Sequence, residues 1–209
     1  MTKRHHLYNF LPQFGIIALY VVLEVRIVQR YIREFRNGIL SSHTRRFGNV
    51  AEIMIAKLYN LDDSHSLAYD KYNPFTEERI EIKFSTVMKR NSQAIRSSNI
   101  IEQIAAANVS NRTVSYDNAE TTSFDCNIQQ VKCSEFDLLY YGLFFSDAIE
   151  IFQMTSDDVL KLTGYSSKQH RGNTGEGQFH ITNSNIQYHR DNFFERLLSY
   201  EELYDLLNQ

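Results

Sequence analysis

The stretch YDKYNPFTEERIEIKFS, residues 69–85, sets an aspartate ahead of a turn and then a glutamate and a lysine two apart inside an apolar run. Its second half alternates. Side chains of an extended strand repeat with period two, so Ile80, Ile82 and Phe84 share one face while Glu81, Lys83 and Ser85 share the other. Asn73 and Pro74 mark a turn, which predicts a short strand over 66–70 before it and a second strand over 79–85 after it. If 67–70 pair with 80–84 across that turn, Asp70 comes near Glu81 and Lys83. The plainest alternative is an exposed ion pair on a solvent face, worth only about 0.2–1 kcal/mol.

Working outward, Ile27, Tyr31 and Phe35 recur at spacings of four with Arg26, Arg30 and Arg33 opposite, which predicts a helix over 16–37 stopped by Asn37 and Gly38. A second helix is expected over 49–60, where Val50, Ile53, Met54, Lys57 and Leu58 keep helical spacing and Glu52 sits in the first turn. Residues 95–109 read as a third. The runs DLLYYGLFFS and AIEIFQM are apolar almost throughout, as in strands covered on both faces, and meet at a turn near Ser146 and Asp147. A short helix capped by Thr155 or Ser156 follows, then a polar loop, YSSKQHRGNTGEGQ, and a final helix whose Ser199 and Glu202 form a capping box. Alternating helices and strands predict an α/β fold, a central mixed β-sheet flanked by helices.

Composition narrows the function. With 209 residues, 43% hydrophobic, the chain suits one core, so 1–209 are read as a single domain. The longest apolar run, from Gly15, meets Glu24 and Arg26 well short of the ~20 residues a membrane span needs. Cys126 and Cys133 form neither a disulfide framework nor a CxxC motif, which fits reduced thiols and a cytoplasmic location. A net charge of -3 advertises no nucleic acid globally, so any such partner must meet local basic patches. Three exist: Arg26 to Arg46 around the single acid Glu34, Lys83 to Arg96 with no acid, and Lys161 to Arg190 with three histidines and Glu176 alone.

Asp70 and Glu81 are hard oxygen ligands of the kind Mg²⁺ prefers, and the backbone carbonyl of Ile82 adds a third oxygen. Lys83, on the face of Glu81, can neutralise charge or move a proton. An acid, a gap bridging a turn, then E-x-K in a buried strand, after a helix that carries Glu52, resembles the PD-(D/E)xK nuclease superfamily, in particular type II restriction endonucleases. Tyr69 stands where the proline of that motif's name would be. The resemblance implies a restriction-endonuclease-like core over about 43–155, Mg²⁺ as cofactor, and cleavage of double-stranded DNA at a short site leaving 5′ phosphates. It makes Asp70 and Glu81 metal ligands, Lys83 the catalytic lysine and Glu52 a helix acid. A cognate DNA methyltransferase would be the functional partner, and a palindromic site would call for a homodimer.

Readout is expected from 165–190. Lys168, Gln169, His170, Arg171, Asn173, Gln178, His180 and Thr182 are side chains of the kind that meet phosphates and base edges, and alternation in GQFHIT puts Gln178, His180 and Thr182 on one face. Arg45, Arg46 and Lys89 are further candidates for backbone contact. The glycines there lack the Gly-Lys-Ser/Thr of a phosphate loop, and His170, His180 and His189 have no zinc-site spacing. Two other readings stay open: a repair nickase or junction-resolving nuclease with the same core, and a DNA-binding module without catalysis.

Overall fold

The computed structural model describes residues 11–90, 93–168 and 174–209. Two helices come first, α1 (Leu11–Leu40) and α2 (Thr44–Tyr59). Strands β1 (Asp62–Asp63), β2 (Lys71–Tyr72) and β3 (Arg79–Thr86) follow, then α3 (Ile100–Ala106) and α4 (Val109–Arg112). The next strands are β4 (Asp125–Val131), β5 (Leu138–Phe144) and β6 (Ala148–Thr155), with α5 (Ser156–Lys161) after them. The chain closes through β7 (Ser166–Lys168), β8 (Thr174–Thr182), α6 (Ile186–Phe193), β9 (Phe194–Ser199) and α7 (Tyr200–Leu207).

Among the described residues the strands form a six-stranded sheet in the order β1-β2-β3-β5-β6-β9 and a three-stranded sheet in the order β4-β8-β7. In the larger sheet β3 and β5 are parallel and the other pairs antiparallel, so it is mixed, as expected for an α/β fold. Strand β5 is buried at every position, and its period of two divides the core. Leu139, Tyr141 and Leu143 face the smaller sheet, packing with Phe124, Ile128, Phe179 and Ile181. Leu138, Tyr140 and Phe144 face α1, α2 and α7, packing with Met54, Ile55 and Leu203. Each such fully buried side chain contributes roughly 1.5–3 kcal/mol, so the two-sided strand is the centre of the fold.

Several expected elements need correction. Residues 66–70 are not a strand but bends and turns, and the pairing partner of β3 is β2, with Lys71 opposite Ile80 and Tyr72 opposite Arg79. The expected pairing of 67–70 with 80–84 is therefore replaced by a two-residue ladder, because the chain must first reverse after β1. The helix expected over 95–109 is two short ones, divided where Asn108 caps α4 by accepting the Ser110 N–H. Helix α2 begins five residues earlier than expected, and α1 runs past Gly38 to Leu40. Ile27 and Tyr31, expected on the covered side of α1, are 46% and 58% exposed; from residue 23 onward the first buried side chain of α1 is Ile32. Of the polar segment expected as a loop, 166–168 form β7 and 174–178 open β8. Both expected caps are present: Thr155 forms a capping box with Asp158, and Ser199 with Glu202.

Gly142 in the middle of β5 is fixed by a close approach. A Cβ there would overlap the Phe84 ring and the backbone carbonyl of Glu150, and backbone in a central strand does not yield. Gly142→Ala is expected to lower unfolding stability by at least about 3 kcal/mol, read from the urea midpoint; an unchanged midpoint would mean that the sheet adjusts freely.

Candidate active site

Asp70 reaches its place because the loop between β2 and β3 is held by its own polar groups. Asn73 accepts the Phe75 N–H through its side chain at 3.0 Å, its N–H donates to the Glu78 carbonyl at 3.0 Å, and Glu77 takes the left-handed backbone that closes the turn. The reversal lays Asp70 against the edge of β3. There its N–H donates to the Ile80 carbonyl at 2.9 Å, and its Oδ2 accepts the Ile82 N–H at 2.8 Å. Where a neighbouring strand would continue the ladder, a carboxylate takes over.

That substitution frees the Ile82 carbonyl, which leaves the strand on the same side as its N–H. Lys83 fills the space: its Nζ donates to Asp70 Oδ2 at 3.3 Å and to the Ile82 carbonyl at 3.3 Å, and pairs with Glu81 Oε1. Glu81 is only 7% exposed, so the account of 81 and 83 as a solvated surface pair does not hold. Burial pushes the Glu81 carboxyl up to about 7, with the Asp70 charge adding to the push and the Lys83 ammonium opposing it. For Lys83 burial works toward the neutral amine, but the Glu81 and Asp70 carboxylates outweigh it and keep the ammonium charged. Glu52, half-buried on α2, is raised by burial first and by the Asp70 charge second, so it belongs to the same field.

The donor set suits a hard divalent cation. Asp70, Glu81 and the Ile82 carbonyl supply oxygens from one strand and the loop beside it, and a buried carboxylate raised to about 7 gains from a nearby positive charge. Among the described residues no three Asp, Glu, His or Cys side chains gather to hold an ion. The Ile82 carbonyl would be the third oxygen of such a set.

These groups open into a cleft of about 170 Å³ lined by Asp70, Glu81 and Lys83 on one side and Gln130, Lys132, Glu135 and Glu176 on the other. The last four were not expected from the sequence. A signal existed in CNIQQV, where apolar Cys126 and Ile128 alternate with polar residues until the Gln129-Gln130 doublet breaks the period. A doublet of that kind marks a β-bulge.

The residues expected to contact DNA do not gather in this cleft. Arg45 and Arg46 lie exposed in the first turn of α2, Lys89 is exposed beyond the end of β3, and Lys168 is exposed in β7. Gln169, His170, Arg171 and Asn173 lie outside the described residues. Alternation in β8 is as expected, with Phe179 and Ile181 buried and His180 exposed. Its polar side chains, however, already have partners: Gln178 accepts from Asn127 at 3.1 Å, His180 meets Asp125 at 2.6 Å, and Thr182 meets Asn185 at 3.2 Å. Burial pushes the Cys126 thiol up to about 12, which makes it an unreactive core residue. No helix among the described residues is long and apolar enough to cross a membrane. No known family, curated protein or solved structure matches the chain.

The raised Glu81 carboxyl has a measurable consequence. Its pKa is about 7 folded against an ordinary 4.5, so between those values the folded state holds more of the proton and stability falls as pH rises. The neutral Glu81→Gln variant lacks this loss. Its urea midpoint is expected to gain on that of the parent from pH 4.5 to pH 7 and to hold the gain above, in metal-free buffer; a constant difference would place Glu81 in a solvated setting.

Proposed function

We propose that the chain is a Mg²⁺-dependent endonuclease that hydrolyses phosphodiester bonds of double-stranded DNA, of the type II restriction kind, leaving 5′ phosphates. The observation that carries this reading is the convergence of Asp70, Glu81 and the Ile82 carbonyl around the Lys83 ammonium. An ordinary exposed E-x-K face gathers no second acid from a separate loop and buries no carboxylate.

The chemistry is addition of a water oxygen to phosphorus and departure of the 3′ oxygen, with the proton of water passing to a base or to solvent. Asp70, Glu81 and the Ile82 carbonyl would hold Mg²⁺, which would supply positive charge against the anionic transition state. Lys83 does the rest of the electrostatic work on this chain. Two carboxylates keep it protonated, so it acts as a donor to phosphate oxygen and water, not as the base. Asp70 positions both ends: one oxygen holds the Ile82 N–H and Lys83, which leaves Oδ1 for a cation. Glu52, half-buried and within the field of the Asp70 charge, would support the metal or its water.

In this reading the partners are double-stranded DNA, a second copy of the chain where the site is palindromic, and a DNA methyltransferase that protects the host, all in a cytoplasmic setting. Arg45, Arg46, Lys89 and Lys168 are exposed cations available to the phosphate backbone. The β8 face of Gln178, His180 and Thr182 reads bases only by exchanging its present partners, which makes readout depend on induced fit.

Unmethylated phage DNA incubated with the protein and Mg²⁺ is expected to give discrete double-stranded fragments, abolished by EDTA. Lys83→Ala is expected to lower the rate by about 10²-fold or more, with a thermal midpoint that falls because Asp70 and Glu81 lose their cation but stays above the assay temperature. Nicks alone would favour the repair or junction-resolving reading. Intact DNA across Mg²⁺, Mn²⁺ and several substrates would leave a binding module.

A further inference from the structure

The wall of the cleft opposite Lys83 is shaped by an irregularity in β4. Between Gln129 and Val131 the pairing with β8 shifts register, with Gln129 opposite Gln178 and Val131 opposite Gly177. Gln130 is the extra residue, and its φ of 59° lies in the left-handed region that a non-glycine residue seldom adopts. The bulge is clamped from both strands. Tyr165 packs where a Cβ on Gly177 would sit, and its hydroxyl accepts from the Cys133 thiol at 3.5 Å. Val131 is wholly buried, so the strand is pinned there and the two residues beside it, Gln130 and Lys132, turn to the cleft.

What they present is a pair of donors. The Gln130 side chain makes no hydrogen bond among the described residues, although the backbone carries a strained conformation to put it there. Lys132 meets one carboxylate, Glu135, at 3.4 Å with its side chain 39% exposed, which leaves ammonium hydrogens for another acceptor. The cleft of about 170 Å³ is lined by four carboxylates, Asp70, Glu81, Glu135 and Glu176, against Lys83 and Lys132, so an anion enters it only at the donors, the Gln130 amide and the Lys132 ammonium on this wall and Lys83 on the other.

We propose that Gln130 and Lys132 form a subsite for a phosphate of the DNA strand next to the one that is cut. This rests on the nuclease reading for its substrate. Lys132 neutralises the phosphate and Gln130 donates to one of its free oxygens, which fixes the strand along the cleft so that the scissile phosphate meets Lys83. The bulge is the device that aims Gln130: an unbroken alternation would carry residue 130 onto the buried face of Cys126 and Ile128, whereas the extra residue passes that place to Val131 and leaves Gln130 with Lys132 at the cleft.

The test is binding of a labelled 20-base-pair duplex with Ca²⁺ in place of Mg²⁺, at several salt concentrations, beside cleavage in Mg²⁺. The duplex is drawn from a DNA that the protein cuts, or is of random sequence if it cuts none. Lys132→Gln is expected to lower the slope of log affinity against log salt by about 0.9, the contribution of one phosphate contact. Gln130→Gly, which suits the left-handed backbone, is expected to keep or raise the thermal midpoint yet weaken binding by about three- to tenfold, the worth of one hydrogen bond. An unchanged slope in the first variant, or unchanged affinity in the second, overturns the subsite. Binding weakened in both variants without cleavage by the parent supports the subsite and sinks the nuclease reading. Absence of duplex binding by the parent overturns both.

Discussion

The Asp70 carboxylate is the interaction on which the site depends. Strand β3 has a full parallel neighbour in β5 on one edge but only a two-residue neighbour in β2 on the other. Beyond Ile80 that second edge would be bare backbone, which a buried strand does not tolerate. Asp70 Oδ2 takes the Ile82 N–H and ends the ladder. In doing so it brings a negative charge beside Glu81, and two close carboxylates in a half-buried setting require a cation. Lys83 is the first cation supplied, and it bonds to both acids and to the Ile82 carbonyl. One backbone vacancy thus leads to a charged cluster whose ligands suit a divalent ion.

The surrounding layers keep this cluster rigid. On one side of the larger sheet, α1, α2 and α7 cover Ile80 and Ile82; on the other, the smaller sheet covers Leu139 and Tyr141, whose strand neighbours β3. Glu81 and Lys83 lie on the second side, where the two sheets part and the cleft opens. Elsewhere charge is handled differently. Glu150 is fully buried but satisfied by Arg190 at 2.8 and 3.2 Å, with the guanidinium also over the Tyr116 ring at 4.4 Å. That cluster is closed and structural, whereas the Asp70 cluster borders open space.

Much of the site was legible because a strand's period is short and local. Ile80, Glu81, Ile82 and Lys83 declared their faces in four residues, and the aspartate before the turn stood out beside them. The capping boxes at Thr155 and Ser199 were legible for the same reason, being set by residues three apart. What escaped was non-local. Residues 66–70 read as a strand because Leu67, Ala68 and Tyr69 precede an acid, yet the paired segment is Lys71–Tyr72, fixed by partners across the turn, Ile80 and Arg79. Strands β4 and β9 and helix α6 were not anticipated, since their patterns are broken by a bulge in one case and follow one another without a linker in the other. Gln130 and Lys132 reached the cleft through that bulge, which depends on Tyr165 and Gly177 far along the chain.

The most direct measurement is calorimetric titration of Mg²⁺ into the parent protein and into Asp70→Asn. The account predicts saturable binding to the parent, with proton release at pH 6.5 as Glu81 ionises and none at pH 8.5, and loss of that binding in the variant, whose amide cannot supply the charge. Equal binding by both proteins, or none by the parent at any pH, would contradict the claim that Asp70, Glu81 and the Ile82 carbonyl form a cation site.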